Sequence, residues 1–123
     1  MATTYNPIVH QNATWEIQAT IQQPNGDPFV LTDFTGQSQI KDSTGAVLAS
    51  PVVTIVDALN GVLKVHMSTT QTASLPVSST LSTPKPPLPV WDVLIGNDDA
   101  SQVYVILSGT VTVRAGITTW TIV

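Results

Sequence analysis

Thr14-Trp15-Glu16-Ile17-Gln18-Ala19-Thr20-Ile21-Gln22 alternates without a break: Trp15, Ile17, Ala19 and Ile21 fall on one side, Glu16, Gln18 and Thr20 on the other. Successive side chains of an extended backbone point to opposite faces, so this period of two predicts a strand with one face buried. The hexapeptide Gln23-Pro24-Asn25-Gly26-Asp27-Pro28 follows, an Asn-Gly pair between prolines, which is turn chemistry.

The same alternation of extended runs and tight bends continues outward. Residues 29–34 are expected as a short extended piece and 36–41 as a further strand. Asp42-Ser43-Thr44-Gly45 then turns the chain into Ala46-Val47-Leu48. After Pro51, the run Val52-Val53-Thr54-Ile55-Val56 is dense in β-branched residues, whose stiff side chains suit a strand better than a helix. Asp57-Ala58-Leu59-Asn60-Gly61 bends the chain again. In residues 62–67, Leu63, Val65 and Met67 make a wholly apolar face expected in the core, while Val62, Lys64 and His66 share the other. Helix is expected only over residues 68–75, with Ser68 as cap, Gln71 completing a capping box and Pro76 as the stop. Residues 90–95 and 102–107 form a hairpin around Gly96-Asn97-Asp98-Asp99, and 109–114 and 117–123 complete the strands. Short strands with turn signals about every 8–12 residues indicate an all-β sandwich or barrel.

The 123 residues suit one domain. We expect an N-terminal arm over 1–13 and a single domain over 14–123, interrupted by a Ser/Thr/Pro-rich insertion at 76–89. Pro84, Pro86, Pro87 and Pro89 favour extended polyproline backbone and bar that segment from the interior of a sheet. A structureless stretch of about 14 residues is long for a compact domain, so the insertion is expected as an arm lying on another subunit. Trp15 and Trp91 are expected in the core. Trp120 lies in Ile117-Thr118-Thr119-Trp120-Thr121-Ile122-Val123, an apolar strand that needs cover; it either completes this sheet, the favoured reading, or adds to a neighbour's. The expected assembly contacts are therefore Tyr5, Pro7, Pro84, Pro86, Pro87, Pro89, Trp120 and Ile122.

Composition narrows function. Charged residues make up 10% of the chain and the net charge is −4, against about 25% charged residues in an ordinary globular protein. Polarity comes from Thr, Ser, Gln and Asn instead, a surface suited to close contact with other proteins. The cations Lys41, Lys64, Lys85 and Arg114 are scattered, with no cluster to neutralise phosphates, which excludes nucleic-acid binding. Without cysteine there is no disulfide, thiolate zinc site or cysteine nucleophile. No apolar run approaches the ~20 residues of a membrane span, and Met-Ala-Thr-Thr-Tyr-Asn-Pro lacks the basic and apolar regions of a signal peptide. No membrane association is expected, and synthesis is expected in a cytoplasm.

His10 and His66 lack a second ligand at metal-binding spacing. Asp27, Asp42, Asp57, Asp98 and Asp99 sit at turns, where a short acid hydrogen-bonds nearby backbone. Asp98 and Asp99 lack the alternating oxygen ligands of a calcium loop. Neither a G-x-S-x-G elbow nor a phosphate loop occurs. No catalytic, cofactor-binding or metal-ligating residue is expected, and the chain is read as a non-enzyme.

Several pieces recur in an order that resembles a family of short proteins of bacteriophage and prophage tail modules, similar to the N-terminal domain of baseplate upper proteins that carry fibres or receptor-binding proteins. They are Thr14-Trp15-Glu16-Ile17, Asn25-Gly26-Asp27-Pro28 with residues 29–36, Gln39-Ile40-Lys41, Asp57-Ala58-Leu59-Asn60-Gly61-Val62-Leu63, residues 68–73, Trp91-Asp92-Val93 and Gly109-Thr110-Val111-Thr112-Val113. The resemblance spans residues 14–113. It implies an immunoglobulin-like antiparallel sandwich with one short helical turn, built into a virion tail, baseplate or fibre, and no catalytic residues. The insertion at 76–89 and the strand after Arg114 depart from the family pattern. Implied partners are other virion proteins in a homo- or hetero-oligomer. The rival classes are a capsid decoration protein, a carbohydrate or receptor-binding module, which would expose clustered aromatics, and a small hydrolase.

Overall fold

A computed structural model describes residues 3–77 and 88–116. Ten strands and one short helix follow in order: β1 (Thr3–Thr4), β2 (Ile8–His10), β3 (Trp15–Thr20), β4 (Phe34–Lys41), β5 (Val47–Ala49), β6 (Val52–Asp57), β7 (Val62–Met67), α1 (Thr69–Ala73), β8 (Val90–Asn97), β9 (Val103–Thr110) and β10 (Thr112–Arg114). The fold is all-β and sandwich-like. One sheet runs β1-β9-β8-β4-β5, a second β3-β7-β6, and a small third pairs β10 with β2. The orders β3-β7-β6 and β5-β4-β8-β9 match the B-E-D and C′-C-F-G arrangement of an immunoglobulin-type sandwich.

The alternation read in the sequence is the alternation of burial. Leu63, Val65 and Met67 of β7 are fully buried and join Val93 and Ile95 of β8 in one core cluster with Ile40 and Trp91. The sheets approach closely where β4 carries a glycine: a Cβ at Gly36 would collide with Val53 of β6. Burial of such apolar surface, at about 25 cal/mol per Å², holds the two layers together.

The bends are built as the sequence predicts. Gly26 takes φ 91° with its N–H donating to the Gln23 carbonyl, and Asn25 Oδ1 accepts from the Asp27 N–H. Asp42 accepts from the Thr44 N–H and hydroxyl and from the Ala46 N–H. Asp57 accepts from the Asn60 N–H and side-chain amide, and Asp99 from the Ser101 N–H. Helix α1 carries the expected capping box: Ser68 Oγ accepts from the Gln71 N–H, and Gln71 Oε1 accepts from the Ser68 N–H. Buried Thr72 fixes the helix to the start of β3 by donating to the Ala13 carbonyl at 2.9 Å.

Two stretches differ from the expectation. Residues 29–33 form no strand; Leu31 is buried and its N–H donates to the Ala58 carbonyl, and the backbone reverses at Asp33 with φ 67° before β4 begins. This stretch carries the chain from the three-stranded sheet to the five-stranded one, so it cannot stay in the ladder of either. The N-terminal residues, expected as an arm, are paired: β1 lies parallel to β9 and β2 parallel to β10, while the remaining strand pairs are antiparallel. Pro7, which has no N–H to give to a ladder, separates β1 from β2.

Candidate assembly surfaces

The outward side of the five-stranded sheet is uncharged over most of its area. From β8 it presents Val90, Asp92, Leu94 and Gly96, and pairing with β4 sets Lys41, Gln39, Gln37 and Thr35 opposite them in turn. On the other flank, pairing with β9 sets Val105 opposite Leu94 and Val103 opposite Gly96. At the far edge, Val47 of β5 is paired with Lys41. Val47, Val90, Val103 and Val105 are 49%, 51%, 53% and 40% exposed, values that belong to surface residues although the side chains are those of a core. Lys41 and Asp92 are the two charged residues these strands turn outward. Leu94 divides the face into two shallow depressions of about 240 and 230 Å³, one floored by Thr35, Gln37 and Val103, the other by Gln39, Lys41 and Val90.

A bulge on β9 shapes this face. Val93 pairs with Leu107 and Leu94 with Val105, so Ile106 is the extra residue, and it turns into the core at 4% exposure. Bulges increase local twist and re-aim side chains; here Val105 stays outward while both Ile106 and Leu107 pack inward.

The opposite sheet is different. Its outer side carries Glu16, whose Oε1 lies 3.2 Å from His66 Nδ1 and 3.7 Å from Lys64 Nζ across the β3–β7 ladder. All three side chains are 38–48% exposed, where such pairs are worth little. Among the described residues no three His, Asp or Glu side chains gather as a metal site would require.

The aromatic rings of the described residues stack on one another in two groups. Trp91 lies in T-shaped contact with Tyr5 and Trp15, ring centroids 6.2 and 5.7 Å apart, and Phe29, Phe34 and Tyr104 form a second group with centroids 5.7–6.4 Å apart.

The residues expected as assembly contacts divide three ways. Tyr5 is partly exposed at 40% but is fastened to its own domain, its N–H donating to the Ser108 carbonyl and its carbonyl accepting from Trp91 Nε1. Pro7 and Pro89 are buried within the chain, and their carbonyls accept from the N–H groups of Thr112 and Val111. Both therefore act inside the fold, where the fixed φ of proline suits a strand start whose own N–H has no partner. Pro84, Pro86, Pro87, Trp120 and Ile122 lie outside the described residues.

The exposed valines were not singled out from the sequence, although a signal was present. Val103-Tyr104-Val105-Ile106-Leu107 is apolar at five consecutive positions, the pattern of a strand covered on both faces. One face is covered by this domain's own core. The other is not covered by any described residue.

No known protein family matches this chain, and no curated protein shows detectable sequence similarity to it.

Proposed function

We propose that the chain is a structural component of a bacteriophage virion, an adaptor or fibre component of the tail or baseplate, that acts by protein–protein assembly. The observation that carries this reading is the valine- and glutamine-lined outer face of the five-stranded sheet. Leu94, Val103 and Val105 adjoin across the β8–β9 ladder, an exposed apolar patch of the kind that marks a protein interaction site, and the side-chain amides beside it supply hydrogen bonds without the desolvation cost of charges. The order of sequence pieces shared in resemblance with phage tail-module proteins adds the particle as the setting. Other virion subunits are then the partners, and the mechanism is mechanical: a stiff sandwich contributes a flat interface and does no chemistry.

The test is to purify the particles of the phage or prophage encoding the chain and locate it by mass spectrometry and cryo-imaging. Density for the sandwich in the tail, baseplate or fibre is expected. Density confined to the capsid faces would make it a decoration protein instead, and absence from purified particles would remove the reading altogether.

A further inference from the structure

The two charges on the outer face of the five-stranded sheet are of opposite sign. Lys41 of β4 is paired with Val90, and Asp92 lies two residues further along β8, a diagonal separation of about 7–8 Å. Both line one shallow depression together with Gln39, Val90 and Leu94. Among the described residues neither joins an ion pair; the two bridges found there both go to Glu16 on the other sheet.

A cover that excludes water from this face has to meet both charges, because a charge stripped of water without a counter-charge weighs heavily against association. It must therefore present an acid and a base at the same spacing. The remainder of the chain does not supply them. Residues 1–2, 78–87 and 117–123, which lie outside the described ones, contain no Asp or Glu, and Lys85 is their one charged side chain. No side chain there can meet Lys41 with the opposite charge.

A second copy of the same face does supply them. A two-fold axis that lies in the interface and bisects the Lys41–Asp92 pair sets Lys41 against the second copy's Asp92, and Asp92 against the second copy's Lys41. One rotation answers both charges. The neighbouring side chains are self-complementary in the same way: Gln37 and Gln39 carry amides that both donate and accept, so amide can meet amide across the axis. Two-fold contacts of this kind, the same patch on both partners, are the commonest form of symmetric association. Strands β5, β4, β8 and β9 cover about 19 by 26 Å, or about 500 Å² in plan. That is toward the lower end of what a specific interface takes from each partner.

We propose that the outer face of the five-stranded sheet binds a second copy of this chain about a two-fold axis, with Lys41 and Asp92 forming two reciprocal ion pairs. This partner rests on the reading of that face as an assembly surface and gives the face its first occupant.

Sedimentation of the full chain is expected to show a dimer. Lys41→Asp alone and Asp92→Lys alone each set like charges against one another twice across the axis, and each is expected to weaken association at least about a hundredfold. Mixed in equal amounts, the two variants are expected to associate again, because a chain with two acids then faces a chain with two lysines. Recovery in the mixture also shows that both variants are folded. A monomeric full chain, single reversals that associate as before, or a mixture that stays apart would each overturn the proposal. If the full chain is monomeric and Val105→Lys still abolishes incorporation into particles, the face holds a different virion subunit; the dimer falls and the virion reading stands. If the mixed variants pair but the chain is absent from purified particles, the dimer stands and the virion reading falls.

Discussion

The indole Nε1 of Trp91 donates a 2.9 Å hydrogen bond to the carbonyl of Tyr5, a residue 86 positions earlier in the chain. Trp91 sits on β8 directly opposite Gly109 of β9, and the Tyr5 carbonyl rests so close to Gly109 that a Cβ there would collide with it. The glycine opens the space, and the indole supplies the donor that satisfies the carbonyl placed in it. The N-terminal strands are thereby fastened to the centre of the five-stranded sheet, and Trp15 meets the same indole edge to face, with ring centroids 5.7 Å apart.

Trp91→Phe tests that fastening. The ring remains apolar and aromatic, but the Tyr5 carbonyl loses its donor, at a cost of about 1–3 kcal/mol for a partly buried acceptor left unpaired. Chemical denaturation should show a lower midpoint with little change in slope. Hydrogen exchange at Tyr5, whose N–H donates to Ser108, should accelerate more than exchange in β7.

Gly36→Ala should be costly for a different reason. The added methyl meets Val53 from the opposite sheet, and overpacking of this kind costs about 1–3 kcal/mol. Val53→Ala alone should also destabilise, by leaving a void. The double variant should be more stable than the sum of the two losses predicts, because each change supplies the space or the volume the other lacks. Strict additivity in a thermal or denaturant cycle would refute the contact.

Acid titration separates the turn acids. The Thr44 hydroxyl, followed by the N–H groups of Ala46 and Thr44, holds the Asp42 carboxyl below its ordinary value of 3.8. Hydrogen bonds from Ser101 do the same for Asp99. A carboxylate lowered on folding stabilises the native state above its unfolded value, and this contribution is lost as pH falls through the folded value. Carboxyl NMR should give Asp42 a midpoint under 3.8, and Thr44→Ala should move it upward. An unmoved midpoint would mean that the Thr44 hydroxyl does not set it.

Much of this architecture was legible in the sequence because local chemistry decides it. Period-two alternation is enough to put Leu63, Val65 and Met67 in the core, and the Ser68–Gln71 capping box needs only a spacing of three. What escaped is what depends on distant partners. Nothing local announces that residues 3–10 pair in parallel with β9 and β10, since the partners lie about a hundred positions away. Gly36 and Gly109 signal a close approach of backbone but not what approaches. The extended reading of residues 29–33 failed because a crossing between sheets has the composition of a strand without a ladder to join. The valine face was visible only as an apolar run, and a two-sided apolar strand looks the same whether its second cover is its own chain or another.

Charge placed on that valine face distinguishes an interface from idle surface. Val105→Lys and Val103→Lys replace side chains that are 40% and 53% exposed, so folding stability should change by no more than about 0.5 kcal/mol. Asp92 and Lys41 already show that the face tolerates charge in the isolated domain, and an extended lysine keeps its ammonium in water. In a covered interface that ammonium would be stripped of water with no described anion on β9 to receive it, and association should fall by a hundredfold or more for about 3 kcal/mol of lost binding. Melting curves would report the first expectation and incorporation into particles the second. Variants that melt normally and still assemble would show that this face touches nothing, and assembly would then have to run through the strand edges alone.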